Sequence, residues 1–165
     1  MAHRIRHRRM ITVWRLEKAK YAAMSFTGEG ARRVGGRWSH PGILVVYAAE
    51  SLPLAILEKF VNLGQQPSAR TKFSAIKAII PAGVSIEHLP VKDLPADWAA
   101  TPPRDGTKAI GSKWAKEIRS AVLMAPSAVA PGSFNYLLNP AHPHFLKITV
   151  HAPIPFSFDG RMWKK

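Results

Sequence analysis

Short runs rich in β-branched and aromatic residues outnumber helical segments in this chain, and the two kinds do not strictly alternate. No other sequence feature constrains the fold as tightly. Strand patterns occupy 11–16, 43–48, 73–80, 84–89, 121–125, 134–138, 145–150 and 154–158. Two helices are predicted among them. The first follows Ser51, a capping residue, with Pro53 in its first turn and Gly64 beyond its end; Leu54, Leu57 and Val61 form its apolar stripe. The second runs over 105–120, with Ile110, Trp114 and Ile118 on one face. A Gly-rich stretch spans 28–36, and the prolines and acidic residues of 90–103 read as a loop. Strands without regular helical crossovers predict an α+β domain rather than a doubly wound sheet. One domain is expected over 11–165, preceded by a basic arm at 1–10.

That arm (His3, Arg4, Arg6, His7, Arg8, Arg9) reads first as a solvated terminus and second as a nucleic-acid contact. Lysine and arginine number 24 against 10 aspartate and glutamate residues, a formal charge of +14. An anionic partner is therefore expected: nucleic acid, a nucleotide, an acidic protein or a membrane surface. No RNA-binding or helix-turn-helix signature accompanies the charge, so a basic nucleic-acid-binding module stands as a lesser alternative. The absence of cysteine excludes disulfides, thiolate nucleophiles and Cys-based zinc sites. The longest apolar run, 43–49, falls far short of the about 20 residues that cross a bilayer. Nor does an apolar stretch follow the basic terminus to make a signal peptide. A cytoplasmic protein without a membrane segment is expected.

Neither the dinucleotide-binding G-x-G-x-x-G nor a phosphate-binding G-K-S/T loop occurs, and the seven histidines lack metal-ligand spacing, so no metal is expected. No G-x-S-x-G elbow supports a serine hydrolase. Four features remain. Gly35-Gly36-Arg37-Trp38 sets a guanidinium beside two permissive residues, either a ligand-facing loop or a plain surface turn. Glu58 borders the apolar stripe of the first helix, either meeting a polar partner or reaching solvent. Tyr47 lies in an apolar strand, where its hydroxyl needs a partner. Ser127 ends a strand in Ala125-Pro126-Ser127-Ala128, an ordinary turn serine when taken alone.

Taken in order, these segments join others: W-R at 14–15, G-E-G-A-R-R-V-G-G-R-W at 28–38, P-G-I-L-V-V-Y-A-A-E-S at 41–51, L-A-I-L-E-K-F at 54–60, A-P-S-A-V at 125–129 and N-P-A-H-P-H-F at 139–145. Together they resemble the RES-domain family, toxins of bacterial toxin–antitoxin pairs named for an arginine, a glutamate and a serine. The match runs over about 13–150. The family's three residues fall on Arg37, Glu58 and Ser127, and Arg15 and Tyr47 match positions associated with its substrate pocket. One departure is Ser39, where the family often has asparagine; a small polar side chain there can still hydrogen-bond within the loop.

The resemblance implies an ADP-ribosyltransferase-like split β-sheet clasping NAD as substrate. It implies cleavage of the nicotinamide–ribose bond by phosphorolysis, with inorganic phosphate as co-substrate, or by hydrolysis, or else transfer of ADP-ribose to a protein. It also implies an Xre-like helix-turn-helix antitoxin covering the site, with nucleic acid contacted only through that partner. Glu58 would hold the ribose hydroxyls and stabilise developing positive charge. Arg15 and Arg37 would bind the pyrophosphate, Gly35 and Gly36 would leave it room, and the Tyr47 ring would stack on nicotinamide. Ser127 would orient a ribose or an incoming phosphate; no paired base marks it as a nucleophile.

Overall fold

The computed structural model describes residues 3–6 and 9–163, with side chains from Arg9 onward. The strands are β1 (His3–Arg6), β2 (Ile11–Lys18), β3 (Val46–Ala49), β4 (Phe73–Ile80), β5 (Ser85–His88), β6 (Val122–Pro126), β7 (Phe134–Leu138), β8 (Thr149–Val150) and β9 (Ile154–Phe156). The helices are α1 (Glu29–Val34), α2 (Leu52–Leu63) and α3 (Asp105–Lys116). The strands make one mixed sheet in the order β1-β5-β6-β7-β3-β2-β4, with β8 and β9 sharing the far edge of β4. β5 and β6 run parallel and the other pairs antiparallel, the α+β arrangement expected.

β2 determines where the sheet opens. Along one edge it pairs with β4 over its whole length, from Ile11↔Ile80 to Lys18↔Phe73. Along the other it meets β3 at a single pair, Trp14↔Ala49. β3 is short and turns its other edge to β7, pairing Val46↔Leu138 through Ala49↔Asn135. The sheet is therefore split between β2 and β3, and backbone groups along the gap need other partners.

Each helix is placed by its apolar face. Ser51 caps α2 by accepting from the Leu54 N–H (3.3 Å), and Gly64 ends it at φ 68°. Leu54 and Ala55 then pack on Leu16, Ala49, Phe73 and Ala75. α3 buries Trp114 completely against Trp38, Leu123 and Leu137. Burial of a side chain that size contributes about 2–3 kcal/mol. Its indole N–H is satisfied by Ser120 Oγ at 2.8 Å. Gly111 lets α3 approach the chain at Trp38 closely, since a β-carbon there would collide with the Trp38 carbonyl.

Several expectations change. Residues His3–Arg6, read as part of a solvated arm, pair along β5 as an edge strand. The Gly-rich stretch holds α1, supported by an Arg32–Glu29 ion pair at i,i+3. The strand predicted over 43–48 is confined to Val46–Ala49. The segment 145–150 is a 3-10 turn, Pro143–Lys147, followed by the two residues of β8, because Pro143 presets a helical turn. α3 stops at Lys116, two residues before Ile118, which sits at φ 49° and is exposed rather than on the apolar stripe. Val61, the last member of the α2 stripe, is likewise exposed. Among the described residues no helix is long and apolar enough to cross a membrane.

Candidate active site

The split between β2 and β3 opens into a cleft of about 720 Å³. β2 forms one wall, α2 and β3 another, and the segment following α1 a third. Arg15, Gly36, Arg37, Tyr47 and Glu58 all line it, although they come from four separate stretches of chain. Gly35 lines it as well. Ser127 does not: it is fully buried behind the wall.

Arg37 stands at the tip of a tight turn. The Gly36 N–H donates to the Ser39 carbonyl at 2.9 Å, pairing 36 with 39 and leaving Arg37 and Trp38 as the two tip residues. Trp38 goes into the core and Arg37 into the cleft. The Arg37 Nη1 donates to the carbonyls of Trp98 (2.7 Å) and Ala100 (2.9 Å), so this side chain also fixes the loop that brings Thr101 and Pro103 to the cleft. Burial lowers its pKa, opposed by the charge of Glu58.

Tyr47 pins the same turn from below. Its hydroxyl accepts from the Trp38 N–H (3.1 Å) and shares a hydrogen bond with Ser39 Oγ (2.9 Å). The Ser39 side chain thus bonds not within the loop but across to β3. A β-carbon at Gly36 would lie 2.6 Å from that hydroxyl, so only glycine fits beside the ring. Burial pushes the phenol up to about 12, although Ser39, the Trp38 N–H and Arg37 all pull the other way; it stays protonated at neutral pH.

Glu58 projects from the middle of α2. Its Oε1 accepts from Asn135 Nδ2 at 2.6 Å and from Ser127 Oγ at 2.8 Å. Among the described residues no hydrogen bond falls on Oε2. Ser127 therefore directs its hydroxyl to the carboxylate rather than to the cleft, while its oxygen also accepts from the N–H groups of Val129 and Ala130. Burying a serine behind a carboxylate is favourable only because every bond it can make is made.

Arg15 bridges the split itself. Its Nη1 donates to the Tyr47 carbonyl at 2.7 Å and Nη2 to Glu17 Oε2 at 3.1 Å, while Nε is buried without a partner among the described residues. Burial lowers its pKa, opposed by Glu17.

Among the cleft residues that the sequence does not single out are Asn135, Glu17 and Lys59. Asn135 left a trace, an amide inside the apolar run Phe134–Leu138, where strands disfavour it. Glu17 lies two residues after Arg15 and so on the same strand face, a usable signal. Lys59 offers no local cue. Among the described residues no group of three or more His, Asp or Glu side chains is placed to hold a metal.

Comparison with known proteins bears on this geometry. The family model described as "RES domain" matches residues 12–159. A Photorhabdus laumondii protein named "Toxin Res" is 37% identical over 92% of this chain and 97% of its own length. A Sphingobium protein named "Prs ADP-ribosylating toxin" is 35% identical over 92% of this chain and 96% of its own. Among solved structures, the chain is similar to one in the M. tuberculosis MbcT–MbcA toxin–antitoxin complex. That likeness has a TM-score of 0.71 at 18% identity and covers 90% of this chain and 85% of that one, a likeness of fold.

Proposed function

The chain belongs to the RES domain family, and from that premise we propose that it is the toxin of a toxin–antitoxin pair, consuming NAD by breaking its nicotinamide–ribose bond. The observation that carries the reading is one carboxylate, Glu58, held rigidly by two neutral donors on the wall of a cleft that also receives two arginines. The chemistry asks for little more. The bond from C1′ of the ribose to the pyridinium nitrogen breaks, its electron pair stays on nitrogen, and nicotinamide leaves neutral without needing a proton. What must be stabilised is the oxocarbenium-like sugar. A fixed anion beside it does so without reorganising at the moment of reaction.

In this reading Glu58 supplies that anion, and Ser127 and Asn135 keep Oε1 occupied so that the carboxylate cannot rotate. Arg15 and Arg37 compensate the pyrophosphate, each already tethered by backbone carbonyls and so pre-oriented. The Tyr47 ring lies in the cleft wall for nicotinamide to stack on. The sugar's C1′ is then taken by an oxygen of water or inorganic phosphate, which gives up its proton to solvent.

A second acceptor is favoured by a particular relative, the Sphingobium protein whose name specifies ADP-ribosylation. In that variant a protein side chain takes C1′ from the same cleft. The partner would be an antitoxin seated over the cleft, as the solved neighbour's complex suggests. An Xre-like helix-turn-helix protein is proposed for that role, linking the toxin to nucleic acid only indirectly.

The test is to incubate purified protein with NAD, with and without phosphate, and separately with adenylate-labelled NAD and a cell lysate. Release of nicotinamide with a phosphorylated ADP-ribose product assigns phosphorolysis, release with free ADP-ribose assigns hydrolysis, and label on protein assigns transfer. A folded protein that leaves NAD intact in every arm overturns the proposal.

A further inference from the structure

Glu17 is the most heavily engaged carboxylate on the cleft wall. Its Oε2 accepts from Arg15 Nη2 (3.1 Å), and its Oε1 from Lys59 Nζ (2.6 Å) and the Lys18 N–H (2.9 Å). The side chain is only 15% exposed. Burial alone would raise its pKa, but the hydrogen bond and charge of Lys59, the charge of Arg15 and the Lys18 N–H outweigh it and hold the carboxyl below its usual range. A carboxylate so fully bonded has little left to offer a substrate. What it does is hold two cations.

The position of those cations gives the arrangement its use. Arg15 is gripped at two nitrogens, by the Tyr47 carbonyl on one side of the split and by Glu17 on the other, which fixes the plane of the guanidinium. Its Nε is a buried donor with nothing to donate to among the described residues. Lys59 directly follows Glu58 on α2. Through Lys59, Glu17 therefore ties β2 to α2 across the opening, in a region where β2 has one backbone pair with β3.

We propose that Glu17 is a positioning residue for the reaction, holding Arg15 in the plane that receives an anionic group of the dinucleotide and, through Lys59, fixing that subsite relative to the helix that carries Glu58. This rests on the reading of the cleft as a NAD site. A guanidinium released from Glu17 keeps its charge but loses its orientation, so binding suffers uniformly in ground and transition states.

The full chain is assayed with NAD, following nicotinamide release and the melting temperature together. Wild-type protein that leaves NAD intact both here and in the lysate arm overturns the functional reading and this inference with it. With wild-type turnover in hand, Glu17→Gln is expected to raise KM roughly tenfold or more with kcat within about twofold. Lys59→Ala should do likewise, and Lys59→Arg should bring KM back to within about twofold of wild type. A Glu17→Gln protein with unchanged KM overturns the inference while leaving the NAD reading intact. So does a Lys59→Arg protein no better than Lys59→Ala. Where Glu17→Gln does not fold, the Lys59 pair decides.

Discussion

The two edges of β2 receive the same eight residues and put them to different uses. Against β4 every position is paired, and the neighbours of that ladder, Val13, Ile76, Ala78 and Ile80, are all fully buried. Against β3 the ladder stops after Trp14↔Ala49, and the space it vacates holds two guanidiniums, two carboxylates and an ammonium. Arg15 belongs to both: its backbone register partner on β4 is Ile76, while its side chain spans the opening to the Tyr47 carbonyl. The closed edge supplies rigidity and the open edge borrows it, so a side chain can be aimed accurately without a packed core around it.

That division can be broken from either side. The largest effect is expected from Glu58→Gln on the open edge. Nicotinamide release should fall by about a thousandfold, ~4 kcal/mol of transition-state stabilisation, with the melting temperature nearly unchanged. Equal activity in that variant would remove Glu58 from the mechanism. Ile76→Ala on the closed edge should do the reverse, lowering unfolding free energy by about 3 kcal/mol in a denaturant titration while kcat at low temperature stays close to wild type. A large loss of kcat in the folded variant would show that the two edges are not separable.

Ser127→Ala sits on the boundary. It removes a hydrogen bond to the carboxylate and leaves the Val129 and Ala130 N–H groups without their side-chain acceptor. About 1–2 kcal/mol should be lost both from stability and from kcat/KM, the latter about tenfold. Full activity would mean Asn135 alone suffices to hold Glu58.

The smallest effect is the pH dependence of Glu17. Its folded pKa lies below its ordinary value of 4.5, so its contribution to stability is present above that value and is lost as pH falls through the folded pKa. Melting curves of wild type and Glu17→Gln should therefore differ near neutrality and converge in acid. Parallel curves throughout would show that Lys59 and Arg15 do not depend on its charge.

Much of the closed half was legible in the sequence because its signals are local. The run 73–80 forms the strand expected residue for residue, and α2 starts at its capping serine and ends at its glycine. α1 was hidden because glycines flank a helix only six residues long, too short for a periodic apolar stripe. Ile118 fits the spacing of α3, yet the chain turns before reaching it. At the site, Arg15, Arg37, Tyr47 and Glu58 were found through ordered motifs, and the structure brings them to one cleft. Ser127 was found too, but its direction was not, since a turn serine looks the same whether it faces solvent or a buried carboxylate. Glu17 shares a strand face with Arg15, a local signal, but its ion pair with Lys59 joins residues 42 positions apart, and no local pattern encodes that contact.

The contact between Gly36 and Tyr47 has an evolutionary consequence. The hydroxyl and Cζ of the ring occupy the volume a β-carbon at position 36 would need, at 2.6 and 2.8 Å. Position 36 cannot drift alone: alanine there demands a smaller side chain at 47, and that exchange surrenders the bonds to Trp38 and Ser39. Descendants of this chain that inherit the tyrosine should therefore inherit the glycine with it.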